Sequence, residues 1–151
     1  MCGIIGVSNL PDAARLAYLG LYALQHRGQE SAGIVAVDAE GHPAMQRGMG
    51  LASEVFDDAT LAALPGDVAI GHTRYATMGS TVLANAQPCL ANYRGGGLAL
   101  AHNGNLTNAA VLRQELVEKG SIFASSSDAE VIIHLVARSD APDPELQIRV
   151  A

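Results

Sequence analysis

Cysteine is scarce in this chain: Cys2 and Cys89 are the two copies among 151 residues. Two thiols cannot build a disulfide framework or a four-thiolate cluster, and cytosolic redox poise would keep both reduced. Basic side chains are also few, with nine Lys and Arg against fifteen Asp and Glu and a net charge of −6. Nucleic-acid recognition needs a basic face to neutralise phosphates, so no nucleic-acid partner is expected. Solubility accounts for the acidity. Long apolar runs are missing too. The most nearly apolar stretch, Leu16 to Leu24, is about half a membrane span and has no basic leader before it. Neither a membrane partner nor a secretory signal is expected, which points to the cytoplasm. The histidines His26, His42, His72, His102 and His134 lack metal-ligand spacing and read as satisfied structural residues. Gly95 to Gly97 carry no phosphate-loop or dinucleotide fingerprint and read as a turn.

What is present suits one globular domain. With 151 residues, 49% of them hydrophobic and 16% charged, the chain can bury roughly 68–70% of its unfolded surface. Strand and helix signals alternate without repeats, low-complexity tracts or an interdomain linker. Ile4 to Val7 reads as a buried strand. Pro11 and Asp12 open a helix with apolar positions at Leu16, Leu19, Ala23 and Leu24, a helical spacing. Gly33–Val37 and Ala44–Arg47 read as strands joined through Glu40-Gly41, and Ser53 as the N-cap of a helix that runs to Leu64. Asp67–Tyr75 reads as a strand, Ala76–Pro88 as a polar loop, and Cys89–Tyr93 with Leu98–His102 as a hairpin turning at Arg94–Gly97. Thr107 is placed to cap a helix through Lys119, with Gly120 ending it. Ser127 and Glu130 have capping-box spacing at the start of a further helix, where Asp128 also suits the helix dipole. Beyond Arg138, Pro142 and Pro144 mark a loop, and Glu145 to Ala151 reads as the start of an element that is cut off.

The chemistry concentrates in four polar segments between apolar elements, and at the N-terminus. Once Met1 is removed, Cys2 carries a thiol and an α-amine on one residue. An α-amino group titrates near pH 7.7–8.0, so such a cysteine can hand its proton to its own amine. From that dipeptide alone an ordinary cysteine leading into an edge strand remains the simpler account. The four segments are His26–Gly33, Gly71–Thr77, Ala101–Leu106 and Ser125–Asp128. Together they offer donors, a cation at Arg74 and an anion at Asp128, complementary to a zwitterionic amino acid that bears a carbonyl. Arg74 can grip a carboxylate with two parallel N–H bonds, and an exposed ion pair is its alternative. Asn103-Gly104 pairs a side-chain amide with an unshielded N–H, the composition of an oxyanion hole, and a tight turn is its alternative.

The motifs MCGIIGV, LQHRGQESAGI, GHTRYATMGS, NAQP, LAHNGNLTN and SSSDAEVI, in that order, resemble the class II glutamine amidotransferase domain of the N-terminal-nucleophile hydrolase type. The resemblance covers residues 2 to about 138. HRGQESAG, HTRYAT and HNGNLTN are most similar to the branch that feeds ammonia to phosphoribosyl pyrophosphate at the first committed step of purine biosynthesis. The glucosamine-6-phosphate synthase branch, with YRGYDSAG-like and HTRWATHG-like motifs, is an alternative. The resemblance implies an α+β fold, an αββα four-layer sandwich, incomplete at the C-terminus because the chain ends before the family's glutaminase domain does. Residues 1–151 would then be a partial glutaminase domain.

The resemblance also implies a set of roles. Mature Cys2 attacks the side-chain amide of L-glutamine, with its own α-amine as base. Asn103 and the Gly104 N–H stabilise the oxyanion, Arg74 binds the α-carboxylate and Asp128 the α-ammonium. Tyr75 to Gln87 forms a closing loop, and Arg27 and Thr77 support the site less directly. Ammonia leaves, a thioester remains, and water releases glutamate. Family members continue into a phosphoribosyltransferase domain that uses Mg²⁺. Within this chain no cofactor or metal is expected, the absent domain is a partner, and homo-oligomer formation stays open. Cys2 directly after Met1 and the low cysteine count argue against the propeptide and iron–sulfur cluster of some relatives. A catalytically silent glutamine-binding relative is the other alternative.

Overall fold

Alternation along the strands divides this protein into an apolar layer and a polar one. The computed structural model describes residues 1–75, 81–94, 96–143 and 147–148. Among them, β1 (Gly3–Val7), β2 (Ser31–Val37), β3 (Pro43–Met49) and β4 (Val68–Arg74) form an antiparallel sheet in the order β1-β4-β2-β3, and β5 (Cys89–Tyr93) pairs with β6 (Gly96–Leu100) in a second. Helix α1 (Ala13–Ala23) packs on the first sheet, and α5 (Asp128–Arg138), itself against α4 (Ala109–Glu118), packs on the second. Successive strand side chains point to opposite faces. Ala32, Ile34, Ala36 and Ala69 therefore join Ala13, Ala14, Ala17 and Leu21 of α1 in the hydrophobic core. Ser31, His72 and Arg74 face the other way and are buried nonetheless. With both faces covered, β2 reads as the nearly unbroken apolar run SAGIVAV.

The elements fall close to their expected places, with four corrections. Strand β1 is an edge strand with an alternating pattern, and Ile4 is 40% exposed, so it is half-buried. Helix α1 turns a different face inward. Leu16 and Leu19 are exposed, whereas Ala13, Ala14, Ala17 and Leu21 are buried, because small side chains let the helix lie close against the glycines of the sheet. A Cβ at Gly71 would sit 2.8 Å from Ile5 and 3.0 Å from Leu21, which shows how close that approach is. The single helix expected from Ser53 to Leu64 is two short ones, α2 (Ala52–Val55) and α3 (Asp58–Ala62). Asp57 interrupts it: its carboxylate accepts the Thr60 N–H at 2.8 Å and the Thr60 hydroxyl reaches back at 2.8 Å to the Asp57 N–H, a capping box that starts a new helix. Finally, Glu130 does not return to Ser127. Ser127 caps α5 through the Ala129 N–H at 3.2 Å, while the Glu130 carboxylate accepts the Ala124 and Ser125 N–H groups at 2.7 and 2.8 Å.

Smaller shifts occur at the hairpin and at α4. β6 begins at Gly96, so the turn is narrower than Arg94–Gly97, and Gly95 lies outside the described residues. Asn108, not Thr107, is the N-cap of α4, and Gly120 ends that helix at φ +86° as expected. Of the tail element expected from Glu145, Gln147 is buried and accepts the Tyr93 hydroxyl at 2.8 Å; residues 144–146 and 149–151 lie outside the described residues. No helix among the described residues is long and apolar enough to cross a membrane.

The reassigned face of α1 makes a direct prediction. Leu21→Ala should cost roughly 2–5 kcal/mol of unfolding free energy, and Leu19→Ala within about 0.5 kcal/mol of none, as read by urea unfolding. Equal losses would contradict the assigned face.

Candidate active site

The site begins where strand pairing ends. Gly3 of β1 is opposite Thr73 of β4, so Cys2 emerges one residue beyond the sheet, next to Arg74 and Tyr75. The Tyr75 N–H donates to Cys2 Sγ at 3.4 Å. Two side chains hold the Cys2 backbone: Arg27 Nε and Asn103 Nδ2 each donate to its carbonyl oxygen at 3.0 Å. Glycine makes this crossing close enough. A Cβ at Gly28 would lie 2.6 Å from the Arg74 carbonyl carbon, so the Arg27 loop can press flat against the end of β4 only with hydrogen at that position.

Cys2 opens onto a cavity of about 370 Å³ that Arg74, Tyr75, Gly104 and Asp128 also line. Five of the eight residues singled out in the sequence thus meet at one concavity. Arg27 and Asn103 reach it through the Cys2 carbonyl, and Thr77 falls on residues 76–80, outside the described ones. Of the loop expected from Tyr75 to Gln87, the part from Leu83 to Asn85 forms a 3-10 turn. Arg74 is buried, and its guanidinium is paired with the Glu30 carboxylate, which is itself 90% buried. Asp128, at the first turn of α5, accepts the Leu106 N–H at 2.9 Å and so ties the Asn103-Gly104 loop to the helix. An acidic side chain at a helix N-terminus is stabilised by the dipole.

Several residues that build the site gave no sign in the sequence of the partners they find, although Glu30, Asn85 and Gln87 lie within the motifs. Glu30 lies within a motif, but only the pairing of Ser31 with Arg74 brings it to the guanidinium. Gln87 accepts the His102 N–H at 2.7 Å, and Arg113 holds the carbonyls of Ser125 and Ser127 at 3.0 and 2.9 Å. Asn85 takes the Ser126 N–H at 3.0 Å. These are long-range contacts between side chains and backbone, and no short spacing announces them.

The histidines correct an expectation. His72 is fully buried, and neither ring nitrogen makes a well-aligned hydrogen bond among the described residues; the His102 backbone is the polar group that its ring meets, so it is at most weakly satisfied. Burial lowers its pKa to about 4, with Arg74 nearby acting in the same direction. His102 lines the cavity, its Nδ1 3.5 Å from Asp128 Oδ1. The Cys89 thiol is pushed up to about 11 by burial, which leaves it protonated at neutral pH. Among the described residues no cluster of three or more His, Cys, Asp or Glu is placed to hold a metal ion.

Comparison with known proteins gives one consistent result. Residues 56–141 match the model of the glutamine amidotransferase domain family. The chain is 54% identical over 140 residues to amidophosphoribosyltransferase 2 of Arabidopsis thaliana, chloroplastic, covering 93% of this chain and 25% of that protein. Against the amidophosphoribosyltransferase of Rhizobium etli it is 50% identical over 139 residues, covering 91% of this chain and 28% of the other. Two solved structures are similar: one described as the allosteric regulatory enzyme of purine biosynthesis, with TM-score 0.91 and 47% identity, and the glutamine phosphoribosylpyrophosphate amidotransferase of Bacillus subtilis complexed with ADP and GMP, with TM-score 0.89 and 46% identity. Each covers 99% of this chain, which in turn covers 32% of each of those chains. The chain therefore spans about a quarter to a third of the length of its relatives. Its α+β fold is the one those structures share over this segment.

The burial of His72 sets a pH dependence. Its folded pKa of about 4 lies below the ordinary value of 6.5, so the unfolded chain binds the proton first as pH falls. The stability associated with neutral His72 is complete above pH 6.5 and is lost as pH drops through 4, by about 3 kcal/mol in total. Urea titrations of wild type and His72→Gln should diverge across that window, the variant showing the flatter profile.

Proposed function

The chain belongs to the glutamine amidotransferase domain family, and from that premise we propose that it hydrolyses the side-chain amide of L-glutamine, with the Cys2 thiol as nucleophile. One observation carries the reading: Cys2 opens onto a cavity that Arg74 and Asp128 both line. A free amino acid presents a carboxylate and an ammonium at its α-carbon, and this is the matching pair. Arg74 takes the carboxylate, since a guanidinium has five N–H donors and carboxylate recognition uses two in parallel. Glu30 holds that guanidinium in place. Asp128 takes the ammonium.

Bound this way, the side-chain amide reaches toward Cys2. Removal of the exposed Met1 frees the α-amine, which accepts the thiol proton as sulfur adds to the carbonyl carbon. Charge develops on the carbonyl oxygen and is met by the Gly104 N–H and by Asn103, whose amide has a second N–H beyond the one given to the Cys2 carbonyl. The carbon–nitrogen bond breaks, the nitrogen takes the proton from the amine, and ammonia leaves a thioester on Cys2. Water adds to the thioester, the carbon–sulfur bond breaks, and glutamate departs with the thiol restored. The Tyr75 N–H steadies the sulfur throughout.

In the longer protein we place this step beside a phosphoribosyltransferase domain, where ammonia meets phosphoribosyl pyrophosphate to form 5-phosphoribosylamine for purine synthesis. Mg²⁺ acts in that domain, outside residues 1–151. The setting we propose is the cytoplasm; the names of the plant relatives place those proteins in chloroplasts.

Intact-mass analysis after exposure to a diazo-ketone analogue of glutamine should find one adduct, on Cys2 and not on Cys89. A folded, Met-trimmed protein with unmodified Cys2 would exclude the nucleophile assigned here and leave glutamine binding without turnover. Cys2→Ser should lower ammonia release by orders of magnitude, and an N-terminal extension that blocks the amine should do the same with the thiol still present. Arg74→Lys keeps the charge but loses the fork, so the half-saturating glutamine concentration should rise about tenfold or more. Unchanged binding by that variant would reassign the carboxylate site.

A further inference from the structure

Three elements converge on one side chain for which the hydrolysis just described has no role. His102 follows β6 and lines the cavity with Cys2 and Asp128. Its backbone N–H is fixed by Gln87 Oε1 at 2.7 Å. Behind it, from β4, lies the ring of His72, which interacts electrostatically with His102. In front, at the start of α5, Asp128 Oδ1 stands 3.5 Å from His102 Nδ1. Its other ring nitrogen, Nε2, lies beneath the oxyanion loop, only 2.7 Å from where a Cβ on Gly104 would be.

The Nδ1 atom is the informative one. It is buried and has no hydrogen-bond partner among the described residues. A buried donor left unmatched is costly and calls for an explanation. Asp128 is the acceptor at hand, half an ångström too far for a good bond, and its Oδ2 is already committed to the Leu106 N–H at 2.9 Å. Hydrogen bonds between active-site groups tighten when substrate binds. An ammonium entering beside Asp128 would draw Oδ1 into the cavity and make its orientation matter.

We propose that His102 is a positioning residue: its Nδ1–H bonds to Asp128 Oδ1 and aims that carboxylate at the α-ammonium of the bound amino acid. The inference rests on the reading of Asp128 as the ammonium site. It assigns His102 to substrate selection, so the residue favours ligands that carry an α-ammonium over those that lack one. The charged group facing the His102 ring is Asp128 from α5; Arg74 from β4, with Glu30 as its counter-ion, lines the same cavity and acts on the neighbouring His72.

The test exploits the two ring nitrogens separately. Asn at position 102 keeps an N–H near the place of Nδ1, and Gln keeps one near Nε2. The readout is the half-saturating concentration for labelling of Cys2, by intact mass, with the diazo-ketone analogue of glutamine and with its counterpart lacking the α-amino group. His102→Gln should raise the value for the amino-bearing analogue about tenfold or more, as expected for loss of a hydrogen bond to a charged group. The des-amino analogue should change by less than about twofold, and His102→Asn should recover most of the loss. Equal shifts for both analogues, or a His102→Gln variant that labels like wild type, would overturn the role given to His102. Wild type that takes no label at Cys2 would overturn the proposed hydrolysis first and this inference with it. Thermal unfolding of both variants separates a damaged fold from a misaimed carboxylate, since a damaged fold weakens both analogues alike.

Discussion

A chain terminus is the segment a fold constrains least, yet this site needs it to be among the best fixed. The constraint that achieves this is the double hydrogen bond on the Cys2 carbonyl. Arg27 and Asn103 are 25 and 101 positions away along the chain, and both donate at 3.0 Å to the same oxygen. The rest of the site follows from what those two donors require. Arg27 reaches the terminus because Gly28 lets its loop lie on the β4 backbone, and Asn103 reaches it because Asp128 and Gln87 hold the loop that carries it.

The strands serve two purposes at once. One set of alternate residues faces α1 and supplies an apolar core made largely of alanine, while the other set carries Ser31, His72 and Arg74 to the opposite face of the sheet, where they are buried as well. The core of small side chains makes this possible, because a closely seated helix seals one face and leaves the opposite face available for polar work. Burying charge and imidazole there carries a free-energy cost, offset for Arg74 by Glu30 and avoided for His72 by remaining neutral.

The motifs were legible because their chemistry is local. Arg74, Gly104 and Asp128 each belong to a short polar segment flanked by apolar elements, and all three line the same cavity as Cys2. The supporting residues were not legible. Glu30, Gln87, Arg113 and Asn85 act on partners 12 to 44 positions away, and no periodicity records which strand register or helix entry will bring them there. His102 and His72 are the sharper case. Both fit the description of ordinary buried histidines in the sequence, and only their surroundings separate one from the other.

The sequence by itself determined the order of the elements, the family motifs and the identity of several groups that line the cavity beside Cys2, since strand alternation, turn residues and motif spacing are all short-range patterns. Tertiary structure decided which face of α1 is buried, where Asp57 divides a helix in two, how Glu130 caps the loop before its helix instead of Ser127, and which side chains hold Cys2. The physical reason is the same in each instance. Propensity and periodicity name what a residue can do, but burial and hydrogen-bond satisfaction depend on distances across the fold, and those exist only once β1, β4, the Asn103 loop and α5 have met.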